Sequence, residues 1–132
     1  MKIVADTNLL ISSIFWNGSP YKIVQQALNQ EIEIFISKYI LDEVRKVLTD
    51  PKEKFRLSKK EIEDVIEGIL LYAKIIEPKT TTDVVKRDKK DNPIIACALD
   101  AQANFIITRD KDLLTIKQHA GIKIITPEEF IK

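Results

Sequence analysis

Five short apolar runs, rich in β-branched residues, recur along this chain: Lys2 to Ala5, Ile32 to Ile36, Lys74 to Glu77, Phe105 to Thr108 and Ile122 to Ile125. Each is the length of a strand and too short for a helix. The stretches between them carry apolar residues at helical spacing, as in Ile40, Leu41, Val44, Val47 and Leu48, or Ile62, Val65, Ile66, Ile69, Leu70 and Ala73. Helix starts are marked: Ser19 before Pro20, Ser37, Asp91-Asn92-Pro93, and the capping boxes Ser58 to Glu61 and Thr126 to Glu129. Strands alternating with helices predict an α/β fold, a parallel sheet of about five strands covered by helices through right-handed crossovers. The 132 residues suit one domain, residues 1 to 132, because no long linker interrupts the alternation.

The first run is also chemically the most informative. Asp6 stands where the strand ends, followed by Thr7 and Asn8, both good helix N-cap residues, and by the apolar Leu9-Leu10-Ile11. Two readings of Asp6 stand side by side. It caps the next helix, or it is a carboxylate at the carboxyl edge of a buried strand, where open α/β sheets place their ligands. Three further acidic residues fall at the same edge. Asp110 follows the fourth strand, and Asp91 starts the helix leading into it. Glu43 lies one turn into the third helix. Local readings compete here too: Glu43 pairs with Lys46 at i+3, Asp91 is an N-cap, and Asp110 shapes a turn while Asp112 caps the following helix. Clustered carboxylates repel one another unless a cation compensates them. A single histidine, His119, and a single cysteine, Cys97, exclude a multi-histidine site and a cysteine zinc site. Oxygen ligands therefore point to Mg2+ or Mn2+, a setting that activates water and stabilises a phosphodiester oxyanion.

Net charge is uninformative, at +1 from 21 basic and 20 acidic side chains. Local clustering says more. Lys79, Lys86, Arg87, Lys89 and Lys90 crowd the polar segment before Asp91, while Arg109 and Lys111 flank Asp110. Cations beside an acidic site suit a phosphate-bearing polymer, or they form an ordinary solvated loop. Cys97 and Trp16 read as packing residues, and His119 as a surface residue near a helix end.

Four segments resemble the PIN domain, the ribonuclease fold of many toxin–antitoxin toxins. They are VADTNLLIS with Asp6, SKYILDEVRKVL with Glu43, DKKDNPIIACAL with Asp91 and NFIITRDKDLL with Asp110. Each alone is a carboxylate among apolar residues; all four in order span essentially the whole chain. The resemblance implies a three-layer α/β/α fold with sheet order 3-2-1-4-5. It implies an Mg2+- or Mn2+-dependent endoribonuclease with Asp6, Glu43, Asp91 and Asp110 as catalytic residues. Asp6, Asp91 and Asp110 would be the metal ligands, and Asn8, Thr108 and Asp112 would support them. RNA would be met by Lys86, Arg87, Lys89, Lys90 and Arg109. A cognate antitoxin and a homodimer are implied as partners. The alternative within the same fold is a non-catalytic module that binds RNA or protein. A phosphatase using Asp6 as nucleophile is disfavoured by Asn8, where such an enzyme needs a second aspartate. A receiver domain needs an acceptor at the third strand, which reads Ile75-Ile76-Glu77-Pro78. No apolar run approaches the ~20 residues of a membrane helix, and Lys2 followed by a run broken at Asp6 does not make a secretory signal, so a cytoplasmic location is expected.

Overall fold

The computed structural model describes residues 1–53, 55–79 and 91–132. The basic residues Lys86, Arg87, Lys89 and Lys90, and the loop expected around them, lie outside the described residues. Among the described residues six strands form one sheet: β1 (Lys2–Ala5), β2 (Glu33–Ile36), β3 (Ala73–Ile75), β4 (Phe105–Ile107), β5 (Gln118–His119) and β6 (Ile122–Ile125). Their spatial order is β3-β2-β1-β4-β6-β5. All neighbours run parallel except β5 and β6. The expected order of the five longer runs is thus observed, with one strand more than expected. The extra strand is a two-residue hairpin partner for the last run, joined through Ala120 and Gly121, both at positive φ. Two positive φ values in a two-residue loop match the twist of an antiparallel ribbon. Ala-Gly is a weaker turn signal than Asn-Gly, so nothing in the residue pattern announced it.

Helices α1 (Thr7–Phe15) and α2 (Ser19–Leu28) connect β1 to β2. Helices α3 (Lys38–Thr49) and α4 (Lys59–Leu70) connect β2 to β3, with a 3-10 turn at Pro51–Glu53 between them. Helix α5 (Asn92–Ala101) precedes β4, α6 (Lys111–Leu114) follows it, and α7 (Pro127–Ile131) follows β6. The chain builds outward from β1 to β3 and then returns to the other side of β1. Right-handed crossovers therefore place the helices before β3 and the returning α5 on opposite faces. Helix α5 packs on β1, β2 and β4, whereas α1 packs against α2 and α3.

Central position explains the composition of β1. Ile3, Val4 and Ala5 are wholly buried, covered on both faces as a parallel strand requires. Ile34, Ile36, Ile106 and Ile107 bury from the strands on either side. Each such aliphatic side chain contributes roughly 1.5–3 kcal/mol on leaving water. The third strand begins earlier than its apolar pattern suggests: Ala73, which continues the stripe of α4, pairs with Ile34 in the sheet. Both capping boxes form as read, Ser58 with Glu61 and Thr126 with Glu129. Ser19 does not cap α2; Gly18 occupies that position, and Pro20 sits within the first turn. Thr7 and Asn8 likewise lie inside α1, because Asp6 is its cap.

Candidate metal-dependent nuclease site

The site follows from strand register. Ala5 of β1 pairs with Ile107 of β4, which sets the next residues, Asp6 and Thr108, side by side at the carboxyl edge. This is also where the connections change direction, the crevice that open α/β sheets offer to ligands. The Thr108 hydroxyl donates to Asp6 Oδ2 at 2.5 Å and accepts the backbone N–H of Asp110 at 2.9 Å. Asp6 Oδ1 accepts the Leu9 N–H at 2.9 Å, which caps α1. One wholly buried hydroxyl thereby fixes two acidic residues 104 positions apart in the sequence.

Asp6 is only 5% exposed. Burial pushes its carboxyl above the ordinary aspartate range, and the nearby charge of Asp110 pushes the same way. The bonds from Thr108 and Leu9, and the charge of Arg109, pull it down. Asp91 is equally buried, at 5% exposed. It precedes α5 and Pro93, yet its side chain makes no capping hydrogen bond. The capping reading of Asp91 is therefore replaced: its backbone starts the helix, while its carboxylate is not used for that purpose. At α6 the local reading of Asp112 as the cap does not hold. Asp110, not Asp112, is the cap, accepting the Asp112 N–H at 2.8 Å.

A cleft of about 160 Å³ is lined by Asp6, Asn8, Glu43, Asp91 and Asp110, together with Thr7, Tyr39, Val47 and Ile94. The four carboxylates expected to converge do line one space. Among the described residues no ion pair joins Glu43 to Lys46. Asn8 lines the same cleft, and Thr108 lies directly behind Asp6. Among the described residues, however, the acidic group that draws together most closely is Asp91, Asp110 and Asp112, each offering an oxygen within 4.8 Å of the others. Asp112 thus sits among prospective ligands rather than merely beside them, while Asp6 lines the cleft outside that trio. Three close carboxylates, with the only thiol buried in the core at Cys97, form a hard oxygen donor set that fits Mg2+ or Mn2+. Burial pushes the Cys97 thiol up to about 12 and leaves it inert.

Arg109 is differently placed from a freely exposed RNA contact. Its guanidinium makes a two-pronged ion pair with Glu128, Nε to Oε1 at 3.2 Å and Nη2 to Oε2 at 2.5 Å. It also borders Asp6 and Asn8 from the side of α7. Tyr39 was not marked as a site residue. The available signal was its position four residues before Glu43, on the same helical face.

The sequence model of the PIN domain family matches residues 2–112. The chain belongs to the PIN domain family. PIN domains are typically nucleases, and those nucleases generally use divalent metals. Among curated proteins, none matches the chain significantly. Solved structures share the fold. VapBC2 from Rickettsia felis, solved with a DNA fragment from the promoter, aligns at TM-score 0.68 and 16% identity. That alignment covers 96% of this chain and 98% of the other. PAE2754 from Pyrobaculum aerophilum aligns at TM-score 0.65 and 16% identity over 99% of this chain and 87% of that one. FitAcB from Neisseria gonorrhoeae aligns at TM-score 0.60 and 17% identity over 96% and 98%.

Proposed function

We propose that this PIN domain is a divalent-cation-dependent endoribonuclease that hydrolyses RNA phosphodiester bonds. One observation carries the reading. Carboxylates from four separate parts of the chain, Asp6, Glu43, Asp91 and Asp110, line one cleft at the reversal point of the sheet, and two of them, Asp91 and Asp110, offer oxygens within 4.8 Å of each other and of Asp112. A folded chain concentrates buried like charges only at a cost, which a bound cation offsets. Asp91 and Asp110 would hold the cation, with Asp112 and Asp6 completing its surroundings. When bound, it neutralises the carboxylates and stabilises the charge that builds on the phosphodiester. Glu43, entering from α3, orients the attacking water and accepts its proton. Thr108 holds the Asp6 carboxylate in place through its hydroxyl. Asn8 supports the same wall, and Lys86, Arg87, Lys89, Lys90 and Arg109 attract the RNA backbone.

The chain acts as one domain, as a homodimer, in the cytoplasm; among the described residues no helix is long and apolar enough to cross a membrane. A toxin role with a cognate antitoxin is supported by the likeness to VapBC2 and FitAcB, which are themselves complexes of that kind. The deciding experiment incubates purified protein with varied single-stranded RNAs in Mn2+, Mg2+ or chelator. Cleavage requires the metal and disappears in Asp6→Asn and in Asp91→Asn, both still folded by circular dichroism. RNA binding by the parent without cleavage in either metal selects the non-catalytic module instead.

A further inference from the structure

The cleft has two chemically different sides. Its acidic side comes from Asp6, Asp91 and Asp110. Its other side follows one face of α3, where Tyr39, Glu43 and Val47 recur every four residues and all reach the cleft. Ile94 of α5, one turn beyond Asp91, adds a further apolar side chain to the lining beside Tyr39 and Val47. Tyr39 and Val47 are half-buried and pack against the hydrophobic core, so the ring is held in position rather than free to fold away. Along α3, Tyr39 stands about 6 Å from Glu43.

RNA is anionic and polar along its backbone; only its bases present a broad face to an apolar or aromatic wall. Resting on the nuclease reading above, we propose that Tyr39 is a substrate-binding residue that stacks a nucleobase next to the scissile phosphate. The acidic side then handles the phosphodiester while the Tyr39 side holds the adjoining base. Stacking accepts any base, so the contact fixes the position of the chain in the cleft without reading its sequence.

The test uses the full protein and a short oligoribonucleotide cut at one site, together with two copies lacking the base on the 5′ or the 3′ side of that site. For the parent, removing one of those two bases raises KM by about ten-fold, with kcat little changed. Tyr39→Leu raises KM on the intact RNA by a similar factor and no longer distinguishes it from that abasic copy. Tyr39→Phe keeps the parent's behaviour. Tyr39→Met replaces Tyr39→Leu if the latter melts early. A Tyr39→Leu or Tyr39→Met protein that retains the parent's sensitivity to the missing base overturns the proposal, as does a parent indifferent to both abasic copies. Absence of cleavage of any RNA by the parent is a separate result, which rejects the nuclease reading itself and the stacking role with it.

Discussion

Two helix entries, β1 into α1 at Asp6 and the start of α5 at Asp91, present the same residue type at the same burial but use it differently. Asp6 is held by its own helix through Leu9 and by the neighbouring strand through Thr108. Asp91 begins a helix without capping it and directs an oxygen toward Asp110 and Asp112. A buried carboxylate that also caps has a structural reason to be there. One that starts a helix without capping it is better explained by what it faces. The difference separates a carboxylate that also caps its helix from one that does not, although both line one cleft.

The largest expected effect is on cation binding. Saturating Mn2+, near a hundred times its dissociation constant, should stabilise the parent by about 2.7 kcal/mol in thermal melts. Asp91→Ala should abolish that gain; an equal gain in Asp91→Ala breaks the distinction. Next, without metal, Asp6→Ala should be less stable than Asp91→Ala by about 2 kcal/mol in urea, because Asp6 forfeits a side-chain helix cap that Asp91 does not provide. Equal stabilities would show that Asp6 is no more part of the scaffold than Asp91. Thr108→Val should cost about 1.5 kcal/mol, since it removes a donor to Asp6 and the acceptor of the Asp110 N–H. The same substitution at Ser37, which only caps α3, serves as the control without a link to the cleft. The smallest effect concerns Arg109, which lies near Asp6. Its ion pair lowers the Glu128 carboxyl from its ordinary value of 4.5. That contribution is present above about pH 4.5 and fades as acid titrates Glu128 through its lowered value; being exposed, it should stay below about 1 kcal/mol. Comparing Glu128→Gln with the parent across pH 3 to 7 should show the difference vanish at the acid end.

Much of the sheet was legible because its strands are nearly continuous apolar runs, Ile3-Val4-Ala5 above all, and because the capping boxes at Ser58 and Thr126 mark helix starts locally. The convergence of Asp6, Asp91 and Asp110 was legible for a topological reason: strand ends and helix starts share one edge of a parallel sheet. What escaped depended on contacts between distant parts of the chain. For Glu43 the residues alone left a local pairing with Lys46 open, and the family resemblance, not the helix itself, pointed it toward the cleft that it lines. Whether Asp110 or Asp112 caps α6 turns on the backbone of a single residue. Nothing in the helical periodicity singles out Tyr39, because a half-buried aromatic and a buried one have the same spacing.

The sheet's two margins bear on aggregation. At one side β5 contributes only two residues beyond β6; at the other β3 has three, with Lys74 among them. Neither outer rung is long enough to template a foreign strand. Edge-to-edge pairing of copies is therefore disfavoured at these strands, and crowding at high concentration should favour discrete particles over fibrils.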